Sequence, residues 1–230
     1  VLAEESISPA VQDYVKAVYV LETRSEQRAV STNALAERLG VSAASASLMV
    51  RRLAETGLAE HEPYRGVRLT PKGRKVALEV LRHHRLLELF LAEELGMPWD
   101  RVHDEAERLE HVISEELEER IAMRLGHPEV DPHGDPIPSA TLELQEQATR
   151  SLESLDPGAA GCFVRVSDSD PAMLRYLHEQ GIAPGDRFEV VDRQPFGGPL
   201  MIRFGDSTHA IGGELARAMR VVADAGEVQR

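Results

Sequence analysis

The segment 126–140, Gly-His-Pro-Glu-Val-Asp-Pro-His-Gly-Asp-Pro-Ile-Pro-Ser-Ala, carries four prolines and two glycines and cannot continue a helix. It therefore divides the chain. Before it, residues 9–125 read as mainly helical, with Val11, Val15, Val18 and Leu21 at spacings of three and four. After it, a short helical stretch over 142–154 is expected, then β-rich runs between Gly/Pro turns over 158–225. Residues 163–166, 187–191 and 200–204 are the expected strands and 171–180 the one expected helix, which together suggest a small β-barrel.

Charge is distributed unevenly. The 230 residues carry 39 acids and 26 Lys/Arg, a net −13. Yet residues 24–75 hold ten Lys/Arg against five acids, and residues 76–125 six Arg against thirteen acids. Such blocks suggest one surface for a polyanion and another for cations, the plainer alternative being unevenly charged solvated helix faces. Apolar runs such as 86–92 are interrupted by charge and far too short to span a membrane, and the first 25 residues show no basic leader. A cytoplasmic protein is expected. The lone Cys162 excludes an internal disulfide framework and a Cys-based zinc site, and reads as small buried packing rather than a redox sensor.

The basic block has the pattern of a winged helix-turn-helix. Ser31 caps a helix from Asn33 to Leu39, Gly40-Val41-Ser42 makes the turn, and Ser42 caps a second helix from Ala43 to Glu55. The apolar stripe of that helix is Ala46, Met49, Val50 and Leu53. Its other face offers small residues that can approach base edges (Ser42, Ala44, Ser45, Ser47) and then Arg51 and Arg52 for phosphate or guanine. Two strands, 58–61 and 66–69, flank a tip bearing Arg65; Arg28 adds a further phosphate contact. Thr70-Pro71 starts the next helix. A helical hairpin for protein contact is the competing interpretation.

The acidic block has the pattern of a metal site. His84 and Glu88 stand at i,i+4. His103, Glu107, Glu110 and His111 share an arc of roughly 100° on a continuous helix. Stacked carboxylates on one packed face repel without a cation. Carboxylate and imidazole without thiolate suit Mn(II) and similar divalent ions.

These features resemble the diphtheria-toxin-repressor/manganese-transport-regulator family of metal-dependent transcriptional repressors. The resemblance is carried by the winged helix, by His83-His84-Arg85-Leu86-Leu87-Glu88, by 102–111 (Val-His-Asp-Glu-Ala-Glu-Arg-Leu-Glu-His) and by Pro132-His133-Gly134-Asp135-Pro136-Ile137-Pro138. It implies a mainly α chain with a winged helix-turn-helix (1–73), a helical metal-binding and dimerisation domain (74–140) and a C-terminal SH3-like β-barrel (155–226). It implies a primary metal site of Asp13, Glu107, Glu110 and His111, and an ancillary site of His84, Glu88 and His103 with Asp168 in place of the family's Gln. Arg165 falls where the family has a Glu ligand. Carboxylates at Asp13 and Glu107, where iron-type members place Met and Cys, favour Mn(II) over Fe(II), with Co, Ni, Zn and Cd as substitutes in vitro. Lys16 stands where manganese-type members have a further Glu ligand, so two separate sites are expected. A homodimer on a double-stranded DNA operator follows, with Leu86, Leu89, Phe90, Val112 and Ile113 on the expected helices 71–95 and 104–125 as interface candidates. A winged-helix regulator of an organic effector and a metal-dependent hydrolase are the rival functions.

Overall fold

Residues 7–24, 29–62, 66–145 and 147–224 are described by a computed structural model; Arg28 and Arg65 lie outside them. The chain forms two compact units: 1–84 with 108–118 and 138–143, and 85–107 with 119–137 and 144–230.

The first unit is built on the winged helix. Helix α1 (Pro9–Arg24) buries Val11, Tyr14, Val15, Val18 and Tyr19. Ser31 Oγ accepts the Ala34 N–H at the start of α2 (Thr32–Arg38), and Ser42 Oγ accepts the Ser45 N–H at the start of α3 (Ala43–Glu55). Between them Gly40 takes φ +63°, a conformation that costs glycine nothing. The strands β1 (Ala59–Glu62) and β2 (Gly66–Leu69) pair antiparallel as the wing. Glu22 ties α1 to this motif, accepting the Leu69 N–H at 2.7 Å and the Arg74 guanidinium at 2.8 Å. Thr70 then caps α4 (Pro71–Glu93), accepting the Gly73 N–H.

The expected helix 104–125 is broken. Helix α5 (Val102–Leu109) stops before Glu110, and α6 (Glu115–Arg124) starts anew from Ser114, whose carbonyl accepts Glu118 N–H and whose hydroxyl accepts Leu117 N–H. A serine N-cap followed by Glu115 and Glu116 favours a fresh helix start over continuation, through both the cap and the helix dipole. Of the expected interface residues, Leu86 and Leu89 are buried in the chain itself, whereas Val112 is 75% exposed.

The second unit holds a six-stranded antiparallel sheet of order β3-β8-β4-β5-β6-β7. Its strands are β3 (Arg150–Ser151), β4 (Ala160–Val166), β5 (Arg187–Arg193), β6 (Leu200–Phe204), β7 (Ser207–Ile211) and β8 (Met219–Ala223). Among the described residues β3 and β7 are unpaired edges, so the expected barrel is not closed. The core joins Phe163, Phe188, Phe204 and Met219 to Leu174 and Leu177 of α7 (Pro171–Glu179) and to Leu152. A second short helix, α8 (Gly213–Ala218), precedes β8. Among the described residues the helix expected over 142–154 is reduced to a 3-10 turn at Leu152–Ser154: Leu142 has φ +60°, Arg150–Ser151 enter the sheet as β3, and Leu152 and Leu155 join the sheet core. Cys162 is half-buried on β4 rather than buried, its Sγ 3.4 Å from the Gly185 carbonyl.

The Pro/Gly-rich segment is firmly built in. Buried Asp131 accepts the N–H groups of His133 and Asp135 at 2.8 and 2.9 Å, and the His133 carbonyl accepts the Val166 N–H. A Cβ on Gly134, at φ +86°, would sit 1.9 Å from the Val164 carbonyl oxygen. Gly134→Ala should therefore destabilise the protein by about 3 kcal/mol or more through overpacking added to backbone strain. Gly181→Ala, at φ +66° with open space around it, should cost only about 1 kcal/mol. Urea unfolding midpoints of the two variants give the comparison, and equal losses would contradict it.

Candidate metal centres and nucleic-acid interface

Because α5 ends at Leu109, Glu110 and His111 lie in the following turn rather than on a shared helical arc with His103 and Glu107. The turn nevertheless brings both to α1. His111 Nε2 is 2.9 Å from Asp13 Oδ1 and 3.5 Å from Glu110 Oε1. One ligand-type atom from each of Asp13, Glu110 and His111 falls within 4.8 Å of the others. Gln12, the neighbour of Asp13, accepts from His111 Nδ1 at 2.6 Å, which orients the ring so that Nε2 faces the carboxylates. The Glu110 side chain is fully buried, bonded at both oxygens by Lys16 Nζ (2.6 and 2.9 Å) and by His84 Nδ1 at 2.5 Å. Behind the turn, His83 Nδ1 donates to the Glu110 carbonyl at 3.0 Å and its Nε2 to Glu118 at 2.9 Å; Arg82 meets the same carboxylate at 2.5 Å. Burial opposes charge on His83, but these bonds outweigh it and raise its pKa. Burial likewise pushes Glu118 up, and its His83 and Arg82 partners bring it below the usual value. Gln12, His83, Arg82 and Glu118 hold the cluster in place; the sequence carries no spacing signal that ties them to it.

A second cluster lies in the second unit. His103 Nδ1 is 3.2 Å from both Glu88 Oε1 and Asp168 Oδ2, and Glu107 is an i,i+4 neighbour of His103 at 3.9 Å. Asp168 is supplied by the loop after β4. Hydrogen bonds from His103 to Asp168 and to Glu88 hold the imidazole pKa up, at about 10. Burial pushes Asp168 up, yet the His103 bond and charge bring it down to about 2. Arg165 pairs with Asp135 at 3.2 Å. Beside Glu88 lies a layer that periodicity does not reveal. His133, fully buried and stacked on Trp99, donates from Nε2 to the Trp99 carbonyl and sets Nδ1 3.9 Å from Glu88 Oε2. Burial, then the Glu88 and Asp135 charges, push Asp131 well above the carboxylate range.

The donors of both clusters are carboxylate oxygen and imidazole nitrogen, without thiolate or thioether. Such a set fits Mn(II) or Fe(II). Imidazole must lose its proton to ligate, so an ion that used His103 would displace a proton held by Asp168 and Glu88, and its affinity should rise with pH. Calorimetric titration in buffers of different ionisation enthalpy measures this; buffer-independent heats would contradict it.

On α3, Ser42, Ala44, Ser45, Arg51 and Arg52 are exposed and Ser47 is half-buried. Ser42 Oγ is engaged as the cap and lies 2.9 Å from Ser45 Oγ, so the two serines present one linked hydroxyl pair. Leu48, which the helical pattern places on the same face, is 66% exposed.

The family described as iron dependent repressor, N-terminal DNA binding domain, matches residues 6–67. The iron dependent repressor metal binding and dimerisation domain matches 70–139, and the FeoA domain 150–223. The iron-dependent repressor IdeR of Mycobacterium leprae is 33% identical over 222 residues, covering 90% of this chain and 94% of that protein. The diphtheria toxin repressor of Corynebacterium diphtheriae is 36% identical over 200 residues, covering 78% and 83%. Among solved structures, a manganese-dependent transcriptional repressor in complex with manganese is 44% identical at a TM-score of 0.86, covering 93% of this chain and 100% of that chain. The manganese regulator SloR is 29% identical at a TM-score of 0.74, covering 95% and 100%.

Proposed function

Because the chain belongs to the iron-dependent, diphtheria-toxin-repressor family of metal-dependent transcriptional regulators, we propose that it is a DNA-binding repressor of metal-homeostasis genes activated by Mn(II), with Fe(II) as the second metal. The observation that carries this reading is the Asp13–Glu110–His111 cluster, which lies in the same compact unit as the recognition helix α3. Asp13 is on α1, which packs against α2, α3 and β2. Asp13, Glu110 and His111 already lie together, and a bound divalent ion would supply the charge that ties Asp13 directly to the other two. Asp13 then fixes α1, Glu110 and His111 fix the turn, and the position of α3 follows from α1. Drawing α1 to that turn favours one arrangement of the DNA-reading motif over others, as a population shift requires.

Glu107, His84, Glu88, His103 and Asp168 complete the ligand assignment: Glu107 at the primary site, the other four at the ancillary one. Ser42, Ala44, Ser45 and Ser47 read base edges, while Arg28, Arg51, Arg52 and Arg65 hold phosphates. The domains run over 1–73, 74–140 and 155–226. The working form is a homodimer reading paired half-sites, with exposed Leu109, Val112 and Leu117 as its apolar contact. A cytoplasmic location accords with this role, and no helix among the described residues is long and apolar enough to cross a membrane. An enzymatic role is not favoured: the relatives are repressors.

The test is fluorescence-anisotropy titration of the protein's own promoter DNA in chelator, in Mn(II) and in anaerobic Fe(II) at fixed salt. Tight binding confined to the metal-containing titrations is the expected result. Equal binding in all three would point instead to an organic effector.

A further inference from the structure

The first cluster contains a cation of its own. Lys16 stands one helical turn beyond Asp13 on α1, and its ammonium contacts both oxygens of Glu110, at 2.6 and 2.9 Å. The Lys16 side chain is 12% exposed and that of Glu110 is fully buried, so the pair is largely desolvated. We propose that Lys16 is a built-in competitor for the metal at this site, and that its hold on Glu110 sets the metal concentration to which the repressor responds. This rests on the ligand reading of Asp13, Glu110 and His111 given above.

A carboxylate removed from water must be compensated by charge and hydrogen bonds. Lys16 provides that charge for Glu110, with His84 Nδ1 bonded to the same carboxylate at 2.5 Å. An ion using Glu110 must share a carboxylate whose electron density Lys16 already draws on at both oxygens. The ammonium charge a few ångströms away then repels the ion. Both effects weaken metal binding, and both disappear when the charge is removed. Lys16 also links α1 to the 110–111 turn, the same two elements that Asp13, Glu110 and His111 join. Metal activation is then an exchange of one cation for another, rather than the neutralisation of a bare anionic cluster.

The full-length protein and its Lys16→Gln, Lys16→Met and Lys16→Arg variants would be titrated with Mn(II) alone, reading free Mn(II) by electron paramagnetic resonance. Loss of the charge should tighten the first site about tenfold or more, whereas Lys16→Arg should stay within about threefold of the natural protein. Thermal midpoints add a second readout: the neutral variants should melt lower without metal and recover with Mn(II). Should they be unfolded without metal, the Mn(II) concentration that refolds them is compared with the concentration that fills the natural protein. A lower requirement supports the proposal. Unchanged or weaker Mn(II) binding in both neutral variants overturns it and leaves Lys16 a purely structural partner. A parallel Glu110→Gln titration separates the two levels: loss of one ion there upholds the ligand reading whatever Lys16 does, and retention of every ion refutes that reading itself.

Discussion

Glu110→Gln combined with His111→Ala should reduce operator affinity in Mn(II) to its level in chelator, a loss of about 100-fold, the upper range of a typical allosteric coupling. Only Asp13 of the three-residue cluster would remain, too little to draw α1 to the 110–111 turn. Gln is chosen over Ala because its amide oxygen can still accept one bond from Lys16 and avoids stranding a buried ammonium. Affinity in chelator should match that of the natural protein, since α3 and the wing are untouched. Metal-stimulated binding that survives in the double variant would show that the response originates elsewhere.

Salt should have an effect of similar or greater size. Arg51 and Arg52 are exposed on α3, Arg38 on α2 and Arg68 on the wing, and a dimer doubles each of them. If six or more contacts reach phosphate, raising salt from 50 to 200 mM should weaken the Mn(II)-loaded complex by about 1,000-fold through counterion release. Arg51→Ala and Arg52→Ala should each lower the slope of log affinity against log salt by about two per dimer, with weakening nearly uniform across sequences. A slope unaffected by either variant would remove α3 from the phosphate contacts. The net charge of −13 does not argue against this, because the positive charge is local to residues 24–75.

The DNA-reading part was legible because its signals are local. Serine N-caps at Ser31 and Ser42, the Gly40 turn and the Pro71 start each act within four residues, and helix α3 runs over the residues that its pattern predicts. The metal-binding part was legible in ligand type but not in geometry. Treating 104–125 as one helix placed Glu110 and His111 on the arc of His103, whereas Ser114 starts a new helix and the turn before it aims both residues at α1. Periodicity does not link Lys16 and Gln12 to Glu110 and His111, from which they are 94 and 99 residues distant; the family resemblance places Lys16 at this site, and nothing in the sequence marks Gln12. In the C-terminal part, the sequence does not mark strands β7 and β8, because Ser207–Ile211 and Met219–Ala223 carry little of the alternation that marks a strand. The helix expected over 142–154 gave way to burial of Leu152 and Leu155, a tertiary demand that local propensity does not encode.

We propose that one divalent ion is held by Asp13, Glu110 and His111 and a second one by Glu88, His103 and Asp168. Anomalous diffraction at the manganese edge from crystals grown with Mn(II) tests it most directly. Two separate peaks are expected, one against each set of ligands. Two adjacent peaks bridged by the Glu110 carboxylate, or no peak beside Asp13 and His111, would contradict it.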